Sequence, residues 1–206
     1  MDEGITTLTG AGGTLGSVSS TNGRYFYAPT ELKGTVDEYE DVTFDEINNI
    51  ESSKNPYVGV LKYNLTVTAA KGEAGKKLKI TVAATPTGDV ITDAYRVAVY
   101  MTGAAYTTAA TVPEDDNLAV GAFSAVYGKT AGTNQAYATA TEPGNQVVKA
   151  IGNSDTIPAS TYQTAVDKDV SANFVVAVWM EGNVAESQNA AGGQKVSVAV
   201  DFELVA

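Results

Sequence analysis

Residues 194–205 alternate without a break. Val196, Val198, Val200, Phe202 and Leu204 are separated by Lys195, Ser197, Ala199, Asp201 and Glu203. Every second side chain of a strand points to the same face, so this period of two predicts one buried and one wet face. On a helix, turning ~100° per residue, the same five apolar side chains would be spread around the cylinder. Leu61, Tyr63, Leu65 and Val67 alternate in the same way with Lys62, Asn64, Thr66 and Thr68. After the turn-like KGEAGK at 71–76, Leu78, Ile80 and Val82 alternate with Lys77, Lys79 and Thr81. The two runs predict an antiparallel hairpin with one wet face.

Further strands are expected at 24–28 (RYFYA, stopped by Pro29), at 95–101 (YRVAVYM), near 119–127 and 136–140, and at 146–151. Residues 172–180 (ANFVVAVWM) are apolar on both faces. That predicts a central strand covered on both sides, or one whose outer face meets a partner. Helical spacing occurs only at Val42, Phe44, Ile47 and Ile50, with Thr43 as cap and Glu46 at the capping-box position. About nine strands without a βαβ rhythm predict an all-β fold, an antiparallel two-sheet sandwich of jelly-roll type with one short helix. Residues 24–206 read as a single domain.

Residues 1–23 are rich in Gly, Thr and Ser and carry scattered apolar positions at Ile5, Leu8, Leu15 and Val18. They read either as a flexible tail or as an extended β-capable arm that orders on an open sheet edge of a neighbour. In the second case Ile5, Thr7, Leu8, Leu15 and Val18 form the subunit interface. The run GAGGTLGS does not qualify as a phosphate loop, because no strand precedes it and no lysine follows at the required place.

Composition supports the β reading and narrows the chemistry. Ala, Thr, Val and Gly dominate, and 11 tyrosines outnumber 5 phenylalanines. A net charge of −11 argues against nucleic acid and against anionic membranes. No apolar run is long enough for a membrane helix. Cysteine and histidine are both absent. That removes disulfides, thiolate nucleophiles, Cys and His metal sites and a Ser-His-Asp triad. The start, Met1-Asp2-Glu3-Gly4, lacks the basic and apolar regions of a signal peptide. Either the protein stays inside or a leader has been removed, and the second is preferred for the resemblance given below.

Excess carboxylate favours calcium among the possible ligands. Residues 37–51 hold seven carboxylates and no basic residue, and Asp37, Glu38, Glu40 and Asp41 are the candidate calcium ligands. The alternative is a solvated acidic face, since the EF-hand spacing is missing. Residues 114–117 (EDDN) are a second acidic run or a turn after Pro113. Paired carboxylates can serve glycoside hydrolysis, but such pairs arise by chance among so many, and hydrolase activity is not expected. Trp179, the single tryptophan, is either a packing residue or a binding platform. Lys54, Lys62, Lys71, Lys76, Lys77 and Lys79 form a basic region, either a wet face or a patch for the acidic face of a second copy.

The strands YRVAVYM (95–101) and FVVAVWMEG (174–182), followed by AAGGQKVSVAVDFEL (190–204), resemble bacterial surface proteins of the TasA and camelysin type. The resemblance lies in the second half of the chain and consists of strand and turn residues. It implies a secreted jelly roll that builds extracellular fibres, with residues 1–23 as an arm donated to the next subunit. It also implies a removed leader. The protease label attached to that family finds no footing without histidine, and no catalytic residue carries over. The expectation is therefore a non-enzymatic subunit that polymerises with copies of itself at the cell surface or outside the cell. It requires no cofactor, though calcium is a candidate brace. The alternatives are a viral or phage coat or tail protein and a monomeric carbohydrate-binding or adhesin module.

Overall fold

The computed structural model describes residues 7–9, 17–24, 26–29, 39–42, 60–72, 75–87, 94–102, 123–137, 143–157, 170–182 and 195–206. Every regular element among them is a strand, and no helix long and apolar enough to cross a membrane occurs among them. In chain order the strands are β1 (Thr7–Thr9), β2 (Ser17–Val18), β3 (Phe26–Pro29), β4 (Tyr39–Val42), β5 (Leu61–Ala69), β6 (Lys77–Thr87) and β7 (Tyr95–Met101). They continue with β8 (Ser124–Gly128), β9 (Gly132–Tyr137), β10 (Pro143–Ala150), β11 (Ser154–Thr156), β12 (Val170–Glu181) and β13 (Lys195–Val205).

The alternating segment is β13, and it pairs with β6 along its whole length, from Lys195 opposite Thr87 to Val205 opposite Lys77. With β1 beside β13 and β11 beside β6, these strands form a four-stranded antiparallel sheet. A second sheet is ordered β2-β12-β7-β8-β10-β9, and β5 shares with β2 the same side of β12. The sheets are mostly antiparallel, as expected, but β8 with β10 and β2 with β12 run parallel. β3 and β4 make a small two-stranded ribbon.

The sheets pack face to face in a β-sandwich-like arrangement. Leu78, Ile80, Val82, Val200 and Phe202 of the first sheet meet Val97, Val99, Phe174, Val176 and Tyr127 of the second in one core. Phe174 and Phe202 touch across it, with ring centroids 4.9 Å apart. Val200 and Phe202 are fully buried, Val198 and Leu204 are partly buried against the same interior, and Val196 packs on a smaller cluster of Ala94, Tyr95 and Met180. The inward face read from the alternation is thus the inward face of β13.

One expectation needs correction. The runs at 61–69 and 77–82 are not a paired hairpin. β5 pairs with β12 and β6 with β13, so residues 70–76 carry the chain from one sheet to the other. Both strands turn their apolar faces to the same core, and alternation alone does not separate a strand alongside from a strand across. Val42, which precedes the expected helix cap Thr43, ends β4 opposite Phe26. The helix expected at residues 43–50 lies outside the described residues.

β12 is apolar on both faces for a visible reason. Phe174, Val176 and Val178 face the core, while Val175, Ala177 and Trp179 join a second apolar cluster on the outer face, completed by Val18, Phe26 and Val60. The cover comes from this chain itself, from the segment leading out of β2 and into β3.

Candidate functional site

The covering segment, Val18 to Arg24, is held to the outer face of the second sheet at every step. β2 runs parallel to the end of β12, with Ser17 opposite Met180 and Val18 opposite Glu181. The Gly182 amide donates to the Val18 carbonyl at 2.8 Å. Ser19 and Tyr27 exchange two backbone hydrogen bonds of 2.9 Å, which closes the segment back onto β3. Between them the turn is built by side chains. Gly23 N–H donates to Ser20 Oγ at 2.8 Å, and Arg24 N–H donates to Asn22 Oδ1 at 2.9 Å, as short polar residues do in tight turns.

Gly23 has φ of +72° and lies against the sheet. A Cβ there would sit 2.1 Å from Ala98 Cβ and 3.1 Å from the Trp179 ring. Only glycine combines that backbone with that approach. Phe26 meets Trp179 edge to face at 5.3 Å between centroids, and the Arg24 guanidinium lies 5.6 Å from the Tyr100 ring centroid. Both are favourable aromatic geometries.

Beneath the segment lies a buried polar cluster. Glu181 Oε2 accepts from Gln146 Nε2 at 2.9 Å, from the Ser20 amide at 3.2 Å and from Trp179 Nε1 at 3.2 Å. Gln146 Nε2 also donates to the Ser20 carbonyl at 2.6 Å, while its Oε1 accepts from Arg96 Nε at 2.7 Å. Arg96 Nη1 donates in turn to the Tyr95 carbonyl at 3.0 Å. Glu181 and Gln146 are fully buried and Arg96 is 3% exposed. Charges and amides leave water at a large cost unless hydrogen bonds replace it. Here the replacement for the carboxylate includes the main chain of Ser20, so the covering segment and the buried charge stabilise one another.

A second polar group ties the sheets at another edge. Tyr127, pointing from β8 into the core, donates its hydroxyl to Asp155 Oδ2 at 2.6 Å, and Lys149 Nζ meets Asp155 Oδ1 at 2.5 Å. Burial first, then the hydrogen bond and negative charge of Asp155, push the Tyr127 hydroxyl above the ordinary phenol range.

The residues singled out from sequence fall in several places. Leu8 of β1 lies opposite Val200 and Thr7 opposite Asp201, both on β13 of the same chain. Val18 is fully buried in its own sheet. Ile5 and Leu15 lie outside the described residues, as do Asp37 and Glu38. Glu40 and Asp41 sit on β4, opposite Ala28 and Tyr27. Among the described residues no group of three or more Asp or Glu gathers. Trp179 is fully buried under Gly23 and Phe26, so it is a packing residue that offers no ring face as a binding platform. The basic region divides: Lys77 and Lys79 lie on β6 of the first sheet, Lys62 on β5 of the second, and Lys79 pairs with Glu203 of its own chain at 2.5 Å.

Comparison with protein-family models, with curated proteins and with solved structures finds no match to this chain.

Arg96, Gln146, Glu181, Ser20 and Gly23 were not anticipated. A signal existed for two of them. Arg96 is the single charge of YRVAVYM, and Glu181 is the single charge of β12. Arg96 stands opposite Trp179, and Glu181 follows Trp179 two residues on, hence on the same face. A lone charge on an apolar strand is the mark of a buried, partnered group.

Proposed function

We propose that the protein is a non-enzymatic, secreted structural subunit of jelly-roll type that assembles into a filament by exchanging its N-terminal strand between copies. The observation that carries this reading is the place of β1, an N-terminal strand paired on the edge of β13. Among the described residues, β1 pairs three residues, Thr7–Thr9, with Ala199–Asp201 on the edge of the eleven-residue β13 that β6 leaves free. A strand at a sheet edge is held by main-chain hydrogen bonds on one side only, and such a place can be filled by a strand of another copy. An identical segment from a second copy makes the same hydrogen bonds in the same register, so exchange costs little at equilibrium and grows with concentration. The resemblance to TasA-type fibre proteins points the same way. In this reading calcium at Asp37, Glu38, Glu40 and Asp41 braces contacts between subunits.

The test is electron microscopy and sedimentation of the full chain and of a chain lacking residues 1–16, each with and without chelator. The full chain forms filaments and the shortened one stays monomeric. A full chain that remains monomeric at every concentration, or a shortened chain that still polymerises, overturns the reading. A chelator that leaves filaments unchanged removes calcium from it.

A further inference from the structure

If the N-terminal strand passes to a neighbour, something must hold its root to the subunit it leaves. We propose that the buried cluster Ser20–Glu181–Gln146–Arg96 is this anchor, so that only residues ahead of Ser17 are exchanged and residues 17–24 stay with their own sheet. The inference rests on the strand-exchange reading and specifies where the exchanged part ends.

The contrast between β1 and the segment after it supports the boundary. β1 sits at a sheet edge, joined to β13 over three residue pairs. The segment from Val18 to Gly23, by comparison, is inserted: Val18, Ser19 and Ser20 are fully buried. Lifting it would strip the Glu181 carboxylate of the Ser20 amide, strip Gln146 of the Ser20 carbonyl, and uncover Ala98 and Trp179. Leaving a buried charge short of its donors is among the costlier single changes a fold can suffer. β2 also runs parallel to β12, and the Gly182 amide grips the Val18 carbonyl just where the arm departs. A pull on the arm therefore enters the subunit along β12, the longest of the described strands.

The chain has no cysteine, so engineered pairs report cleanly. Neighbouring strand partners stand within disulfide reach. Two double variants are compared in assembled protein on non-reducing gels: Leu8→Cys with Val200→Cys, and Ser17→Cys with Met180→Cys. The first pair links copies into a ladder, while the second closes within single chains and leaves filament formation unchanged. A ladder from the Ser17 and Met180 pair overturns the anchor and leaves strand exchange standing. Closure of the Leu8 and Val200 pair within single chains, without filaments, overturns strand exchange and the anchor with it.

A separate measurement addresses Glu181 itself. Glu181→Gln keeps the shape but places an amide where three N–H groups converge. Trypsin then cuts after Arg24 at least tenfold faster than in the unaltered chain, while Arg96, buried within β7, stays uncut and shows that the sheets are closed. An unchanged rate after Arg24 removes Glu181 from the anchor.

Discussion

Gly23 and Ala98 are in such close contact that a methyl group on residue 23 would lie 2.1 Å from the Ala98 methyl. The contact joins a turn near the start of the chain to the middle of β7, and it fixes how tightly the covering segment can lie. Gly23→Ala incurs both the left-handed backbone and the overlap, together about 2–4 kcal/mol. Urea unfolding followed by Trp179 emission measures this directly, since Trp179 lies under the same turn. Ala98→Gly in the same chain recovers part of the loss; a double variant as unstable as the two single losses added would show that the two residues do not meet.

Phe174 and Phe202 meet across the two sheets, both buried, with ring centroids 4.9 Å apart. Phe202→Ala leaves a cavity on both sides of the interface and costs about 3–5 kcal/mol, whereas Phe202→Leu costs about 1 kcal/mol. Guanidinium midpoints of the two variants check the ratio. Equal losses would mean that the interface collapses around the smaller residue.

Lys79 and Glu203 form a cross-strand ion pair on the outside of the first sheet, with side chains 32% and 53% exposed. Water screens such a pair. Replacing Lys79 with Met lowers stability by less than about 1 kcal/mol, and the difference vanishes in molar salt. Melting curves at low and high ionic strength provide the comparison.

Tyr127 gives the fold an alkaline limit. Its hydroxyl is raised in the folded protein, so above pH ~10 the unfolded chain releases that proton while the folded one keeps it. Its contribution is therefore complete below the ordinary phenol value and falls as pH rises beyond it, by up to ~1.4 kcal/mol per pH unit. Tyr127→Phe costs about 1 kcal/mol at neutral pH, through the lost bond to Asp155, and has a shallower alkaline decline. Denaturant titrations between pH 8 and 11, taken as a range around ~10, distinguish the two slopes; parallel declines would place the sensitivity elsewhere.

What could be read in advance was the direction of each strand's burial. β7 was legible to the residue, and the inward positions of β13 and the two apolar faces of β12 followed from side-chain order alone. Which strand lies beside which was not legible. Leu65 and Ile80 belong to the same interior from opposite sheets, and nothing in their alternation says whether they are neighbours along a ladder or across a gap. The parallel pair β8 and β10 was hidden in the same way. β1, β2 and β11 are too short to carry a period, and they exist because longer strands offer them an edge. The buried cluster went unread: Arg96 and Glu181 are lone charges on apolar strands, a signal that was passed over, while Gln146 is an ordinary polar residue on β10 until the fold brings it between them.

The main ladder of the first sheet has a consequence for how the molecule comes into being. Lys79 and Glu203 stand opposite one another but are 124 residues apart along the backbone. β6 therefore lacks its ladder partner until β13, the last strand described, has left the ribosome. Closing so wide a loop is slow, in the range of milliseconds to seconds for folds dominated by such distant pairings. The seam between these two strands is thus among the late events in the making of the sandwich.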